Sequence, residues 1–186
     1  MKQQRKRVRG GWIIGAVVLF LLMSGITWAE TPQEVVARYQ NTFDYSFDLP
    51  EGWQLVPVNK FQARLDPDTD KSMVGVTFTA DILNDAFGTG GFDLEAYRKH
   101  LFQRISTVGY PLSSAAPFDG LQVGKEWSAW SMTRPDGKGR ELFLFTRKGD
   151  LVFYHDVVFI ADFDRYFKKY KGQIEAIVNQ TQIDVQ

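Results

Sequence analysis

The period of the hydrophobic positions changes along the chain and predicts a succession of strands and helices. Apolar and polar residues alternate in four early and three late segments, which is the pattern of half-buried strands. Between these groups, and again near the end, apolar residues recur at helical spacing. The predicted strands comprise residues 45–49, 53–58, 61–65, 73–80, 127–133, 141–147 and 151–160, and the predicted helices comprise residues 32–41, 94–108 and 163–181.

The local signals at the element ends agree with this pattern. Thr31, Pro32 and Glu34 form a capping box before the first helix. Asp93 is a suitable N-cap for the middle helix and Asp162 for the last one. Turn residues separate the three late strands, so these strands are predicted to form an antiparallel meander. The order of elements predicts an α+β fold in which helices pack on a mostly antiparallel sheet.

The stretch Tyr45–Trp53, which reads YSFDLPEGW, predicts a hairpin. Tyr45, Phe47 and Leu49 alternate as one face of a strand. Proline at position 50 fixes φ for a turn, and the glycine two residues later relaxes its exit. Trp53 would then begin the return strand, where its ring can pack against a helix.

Charge is distributed unevenly, although the whole chain carries 22 basic and 22 acidic residues. Five basic residues and no acidic ones lie within residues 1–29, so residues 30–186 hold 17 basic against 22 acidic residues and carry about −5. A domain of this charge is poorly suited to neutralising phosphates. Nucleic acid is therefore not an expected partner.

The basic N-terminal end predicts export. An apolar run from Trp12 to Met23 follows the basic residues, and Thr27 and Ala29 stand at the positions preceding a cleavage point. The uncharged stretch Gly10–Ala29 has a length of about 20 residues, which also suits a single membrane span. Residues 1–29 are thus a signal peptide or a retained membrane anchor, and residues 30–186 form one domain on the far side of the membrane. The chain has no cysteine, so disulfides, thiolate catalysis and lipid attachment through cysteine are excluded.

Three aspartates form the one candidate metal site. Asp66, Asp68 and Asp70 have the spacing that opens a calcium-binding loop. Lys71 stands where that loop needs glycine, and Thr77 stands where it needs a bidentate glutamate. The segment therefore predicts a polar turn between two strands, with weak calcium or manganese binding as the alternative.

The remaining candidate residues have structural interpretations. His155 shares a strand face with Phe153 and Val157, which predicts a hydrogen-bonded core histidine, whereas His100 lies on the polar side of the middle helix. No G-x-S-x-G motif is present, and the glycines at 88, 90 and 91 lack the residues of a phosphate loop. Trp127 and Trp130 fall on opposite faces of one strand, so one is expected in the core and the other under a helix or facing a partner.

The stretch YSFDLPEGW resembles the opening of PsbP-like domains, which are named for an extrinsic subunit of photosystem II. Further likenesses are Met73–Phe78 after a polar turn, the middle amphipathic helix, and Gly149–Tyr154 leading to the final helix. The resemblance covers residues 43–183. It implies an α/β/α sandwich and a non-enzymatic exported protein. Some photosynthetic members of the family bind calcium, manganese or zinc.

Together these features predict a non-catalytic exported envelope protein that binds a protein partner in or at the membrane. The expected location is the periplasm or another extracytoplasmic compartment, with contact to the inner or thylakoid membrane through residues 1–29 if they are retained. The alternative is a metal-binding extrinsic subunit of photosystem II type that uses Asp66, Asp68 and Asp70.

Overall fold

An antiparallel sheet of seven strands forms the centre of the protein, which is seen here in a computed structural model that describes residues 32–83 and 93–186. Its strand order is β2-β3-β4-β8-β7-β6-β5, and every neighbouring pair is antiparallel. A separate two-stranded sheet pairs β1 with β9. The strands are β1 Phe43–Ser46, β2 Trp53–Asn59, β3 Gln62–Pro67, β4 Val74–Ile82, β5 Ala116–Pro117, β6 Ser128–Thr133, β7 Arg140–Lys148, β8 Leu151–Phe159 and β9 Gln182–Val185.

Three α-helices accompany these sheets in the part of the chain that the structure describes. They are α1 Pro32–Tyr39, α2 Leu94–Ser106 and α3 Phe163–Gln180, with a short 3₁₀ helix at Leu112–Ser114. The prediction of an α+β fold with a mostly antiparallel sheet between helices is confirmed. The late meander of β6, β7 and β8 is also confirmed, because its turn residues and its alternation are both local signals.

One face of the main sheet packs against α3 and is called the α3 face here. Its alternate residues on the central strands are buried against one side of the helix, and each fully buried aliphatic or aromatic side chain contributes about 1.5–3 kcal/mol. The two-stranded sheet covers the other end of this face. The main contributors are Leu65, Val76, Leu142, Leu144, Val157 and Phe159 from the sheet and Tyr170, Ile174, Ile177 and Val178 from the helix.

The opposite face packs against α2 and is called the α2 face. Tyr97, Leu101 and Phe102 of the helix are buried on Phe143 and Phe145 of the sheet. The Asp93 side chain caps α2 by accepting a hydrogen bond from the backbone N–H of residue 96 at 2.8 Å, as the sequence predicts. Helices thus lie on both sides of the sheet, which is the sandwich that the family resemblance implies.

The predicted hairpin at YSFDLPEGW is wrong. A turn is present, since the Trp53 N–H donates to the Pro50 carbonyl at 3.2 Å and Gly52 has φ of 80°. The two flanking segments nevertheless belong to different sheets, because Tyr45 pairs with Ile183 of β9. The Tyr45 ring packs on the α3 face, tilted by 50° to the Phe78 ring with the two centroids 4.7 Å apart.

Two helix ends differ from the predicted ones. Helix α2 ends at Ser106, so Val108 lies beyond it with 70% of its surface exposed, and its predicted place on the apolar face is wrong. Helix α3 starts after Asp162 as expected, but that residue has φ of 47° and its side chain makes no capping hydrogen bond. This helix ends at Gln180, one residue before the predicted end, and the strand β9 that follows it was not predicted.

The predicted export segment, residues 1–29, lies outside the described residues and stays a prediction. Within residues 32–83 and 93–186, no helix combines the length and the apolar character needed to cross a membrane.

Candidate functional site

Among the described residues, helix α2 covers only part of the α2 face, and the other half carries polar side chains. We call this half, formed by β2, β3 and β4, the open face. Val56, Arg64 and Thr77 stand directly opposite one another on these three strands, and Asp156 of β8 continues the row. Directly opposite residues of an antiparallel pair share a face and have Cβ atoms about 5 Å apart. The row therefore presents an aliphatic, a cationic, a hydroxyl and a carboxyl group side by side.

A pocket of about 390 Å³ lies on the open face above Gly75. This volume falls in the range of small-ligand sites. Its lining includes Arg64, Lys71, Ser72, Thr77 and Val158. Because glycine has no side chain, the sheet is indented at this position, and we call the space the Gly75 pocket.

The two cations of the Gly75 pocket differ in their pairing. Arg64 donates from Nε to Asp66 Oδ1 at 2.7 Å. Lys71 is exposed and has no acidic partner within 4.0 Å among the described residues. Arg64, Asp66 and Lys71 together carry a formal charge of +1, although residues 30–186 as a whole carry a negative charge.

A buried polar cluster adjoins this site on the same sheet face. Glu141 accepts hydrogen bonds from Arg134 and from the Tyr110 hydroxyl. Burial raises the pKa of Glu141 against the opposing effect of these two donors. The pKa of Tyr110 is also raised, first by burial and then by its hydrogen bond to Glu141.

Asp156 extends this cluster toward the Gly75 pocket. Its Oδ1 atom is buried without a hydrogen-bond partner, although the residue as a whole keeps partial exposure. Burial raises the pKa of Asp156 well above its usual range, and the nearby charge of Glu141 raises it further. Arg134 Nε is buried and unpartnered in the same way. Perturbed carboxyl groups of this kind occur both at functional sites and in structural networks. Glu141 is sealed from solvent, so it serves to hold the Tyr110 loop on the sheet.

The structure places Asp66 within β3 and Asp68 and Asp70 in the turn between β3 and β4, and the three predicted metal-binding aspartates make separate contacts. Asp66 pairs with Arg64, while Asp70 accepts from Lys169 at 2.6 Å and from the Tyr170 hydroxyl at 2.9 Å. The hydrogen bond from Lys169, followed by that from Tyr170, lowers the pKa of Asp70.

Asp68 donates its backbone N–H to the carbonyl of Gly52 at 2.7 Å. In the described ranges, no three acidic or histidine side chains are grouped as metal ligands. The polar turn is confirmed, and metal binding by Asp66, Asp68 and Asp70 stays a prediction.

The core role predicted for His155 is confirmed. The ring is fully buried, and its Nε2 lies 3.0 Å from Thr181 Oγ1. The Thr181 hydroxyl donates its proton to the Ile177 carbonyl at 2.7 Å, so it accepts from a protonated Nε2, and Nδ1 is left buried without a partner. Burial lowers the pKa of His155 to about 3. A ring sealed in this way cannot reach a substrate, which excludes His155 as a catalytic group.

The two tryptophans take the opposite faces that the alternation predicts. Trp127 is buried on the α3 face, with its ring centroid 5.2 Å from that of His155. Trp130 lies under α2, where the Arg98 guanidinium stacks 3.5 Å from its ring centroid. Trp130 is therefore the tryptophan that packs beneath a helix.

The residues of the Gly75 pocket were not singled out from the sequence. One signal was available, because Gly75 lies within the predicted strand Met73–Ala80, and a glycine within a strand often marks a close approach by another group. Arg64 and Lys71 carry no comparable signal. Their position depends on the register between β3 and β4.

Comparison with known proteins gives matches among solved structures. No protein-family profile and no curated protein sequence matches the chain. The chain is similar to cyanobacterial PsbP (CyanoP) from Synechocystis sp. PCC 6803, with 8% identity and a TM-score of 0.45 over 76% of this chain and 92% of that one. PsbP is the family that the sequence resembles.

Two further solved structures are similar. LpqN of Mycobacterium tuberculosis, described as involved in cell envelope biogenesis, has 15% identity and a TM-score of 0.40 over 83% of this chain and 98% of that one. A protein from Bacteroides thetaiotaomicron VPI-5482 has 13% identity and a TM-score of 0.42 over 77% of this chain. The chain spans about half of the Bacteroides protein, covering 48% of it. All three TM-scores lie below 0.5, so no function transfers from these proteins.

Proposed function

We propose that the protein is a non-catalytic, exported accessory domain that binds a protein partner at the membrane surface through the open face and its edge. The observation that carries this proposal is the exposure of aliphatic residues along the edge strand β2. Val56 and Val58 have 42% and 55% of their surface exposed, and Val56 lies on the open face. Leu55 is 44% exposed on the opposite face of the same strand, where it pairs with Leu65. Clustered apolar residues at a surface favour protein interaction.

The same strand indicates how the partner is bound. β2 is an end strand of the main sheet, so in the described part of the chain one of its sides has no neighbouring strand. Pro57 lies within it and has no N–H to donate, and the register with β3 shifts between Pro57 and Asn59. Both features oppose extension of the sheet by a further strand. The partner is therefore held by side-chain contacts on the open face rather than by backbone pairing.

Site-specific photo-crosslinking tests this function in cells that produce the full chain. A photoreactive phenylalanine at Val56 is expected to give one discrete adduct in the membrane fraction. The matched control is the same substitution at Val108, which is also an exposed valine but lies far from β2 in sequence and on no sheet. Absence of an adduct at Val56, or equal adducts at both positions, would refute partner binding at this edge.

Export is tested separately by mass spectrometry of the N-terminus of the protein recovered from these cells. A mature chain that starts at Glu30 supports cleavage of a signal peptide. An intact N-terminus in the membrane fraction supports a retained anchor. Recovery of the intact chain from the cytoplasmic fraction alone would overturn the extracytoplasmic assignment.

A further inference from the structure

We infer that the Gly75 pocket receives a carboxylate side chain from the docking segment of the partner. This inference rests on the proposed function and names the chemistry of the partner at the same surface. An acidic residue of the partner enters the indentation over Gly75, while an aliphatic residue nearby packs on Val56 at the edge of the sheet.

The first observation is the free space over Gly75. Gly75 has no positive φ, so its presence is not required by the backbone. A Cβ atom built at this position meets only Asp66 Oδ1, at 3.6 Å, which is an ordinary contact. The strand would thus accept a larger residue here. What the glycine leaves is free space, bounded by Val158 on the neighbouring strand, by the Asp66 carboxylate and by the two cations.

The second observation is that the Gly75 pocket has a net positive formal charge. Lys71 and Arg64 supply two positive charges and Asp66 one negative charge, so the formal excess is one. A singly charged carboxylate balances this excess, whereas a doubly charged phosphate would not. Ser72 and Thr77 add hydroxyl groups that can donate hydrogen bonds to carboxylate oxygens. Lys71 is the side chain in this set with its charge still uncompensated.

The third observation is the spacing between Val56, Arg64 and Thr77 across the sheet. Adjacent strands lie about 4.8 Å apart, so Arg64 and Thr77 stand about 5 and 10 Å from Val56 across the sheet. Side chains two residues apart in an extended peptide point the same way and are separated by about 7 Å. Gly75 lies two residues from Thr77 along β4, so it is about 12 Å from Val56. An acidic residue two positions after an aliphatic residue on Val56 covers about 7 Å of this distance, and the extended side chain of a glutamate spans the remainder. We expect the docking segment to contain this aliphatic-x-acid pattern.

NMR titration of the protein with short peptides tests the inference. The probe is acetyl-Ala-Leu-Ala-Glu-Ala-amide, and the matched control peptide carries glutamine in place of glutamate. At concentrations up to about 10 mM, the glutamate peptide is expected to shift the amide signals of Gly75 and Thr77 in a saturable way and to leave that of Gly137, in the β6–β7 turn, in place. Equal shifts from the glutamine peptide would overturn the role of the carboxylate.

Two variants locate the binding site. Gly75→Val fills the pocket with a side chain that suits a strand and is expected to abolish the shifts. Lys71→Gln removes an exposed charge that has no acidic partner among the described residues, and it is expected to weaken binding about threefold, as for a partly solvated ion pair. Lys168→Gln removes the same charge from an exposed position on α3 and should change nothing. Unchanged affinity in both pocket variants would place the peptide elsewhere.

Further arms separate this inference from the proposed function. Isovalerate presents a free carboxylate on an apolar body, and binding as tight as that of the peptide would assign the pocket to small carboxylates instead of a partner. An adduct at Val56 that persists in Gly75→Val would leave the proposed function standing and remove the inference. Saturable shifts with the glutamate peptide but no cellular adduct at Val56 would support carboxylate binding in the Gly75 pocket and remove the proposed function.

Discussion

Buried His155 is expected to make the protein lose stability as the pH falls below 6.5. The unfolded chain binds a proton at this residue with a pKa of about 6.5, while burial holds the pKa in the folded protein at about 3. Between these two values the unfolded state binds more protons than the folded state, so acid favours unfolding. The loss of stability caused by His155 is complete below pH 3 and nearly absent above pH 7.

The magnitude follows from these two pKa values. At pH 5 the unfolded histidine is almost fully protonated and the folded one almost fully neutral, which costs about 2 kcal/mol of unfolding free energy relative to neutral pH. The cost is large because the cavity offers no acceptor for a second N–H. Nδ1 has no partner, and the surrounding rings belong to Phe47, Phe78 and Trp127.

Urea unfolding at pH 7.5 and pH 5.0 measures this term. In His155→Gln the amide N–H can still donate to Thr181 but cannot titrate, so the loss between the two pH values should shrink by about 2 kcal/mol. The comparison is made within each variant, so any destabilisation at neutral pH cancels. Burial raises the pKa of both Glu141 and Asp156, so these residues favour the folded state as the pH falls, and they act equally in both proteins.

His100→Gln is the matched control, because the chain has only two histidines and His100 lies on the surface helix α2. This variant should retain the full loss of stability between pH 7.5 and pH 5.0. If His155→Gln loses as much stability on acidification as the parent protein, the reasoning is refuted. The same holds if His100→Gln, rather than His155→Gln, removes the loss.

Two further predictions concern the last helix and the acidic turn. Gly172→Ala should raise the unfolding free energy by about 0.5–1 kcal/mol, because alanine favours the interior of α3 and its Cβ meets nothing within 4 Å; a urea midpoint that stays unchanged or falls would contradict this. Titration calorimetry of the protein with calcium or manganese should give no saturable binding heat, because Asp66 and Asp70, on either side of Asp68, are already paired with cationic side chains. A saturable heat that disappears in Asp68→Ala would instead establish the metal site.

The elements with local signals were predictable from the sequence. Helix α2 is marked by the Asp93 cap and by helical spacing, and the meander of β6–β8 by turn residues between alternating segments. The core position of His155 follows in the same way, since alternation assigns it to the face of Phe153 and Val157. In each case the predictive signal lies within a short segment of the sequence.

Features that depend on distant pairing were not predictable. Alternation shows that residues 45–49 can form a strand, but nothing nearby shows that its partner is β9. The Gly75 pocket likewise needs the register of β2, β3 and β4 to bring Val56, Arg64 and Thr77 into one row. A shift of one residue would turn Arg64 to the opposite face. Only the structure supplies that register.

The pairing of β1 with β9 has a consequence for how the protein is made. Ser46 pairs with Gln182, so this contact closes a loop of about 136 residues, at an entropic cost of about 4 kcal/mol. Among the described residues neither strand has another neighbour, and the pair is completed only when β9 is present. Contacts of such sequence separation slow folding. A chain that emerges N-terminus first would therefore keep Phe43 and Tyr45 unpaired until β9 has been synthesised, and this interval is when a chaperone or a protease would act on it.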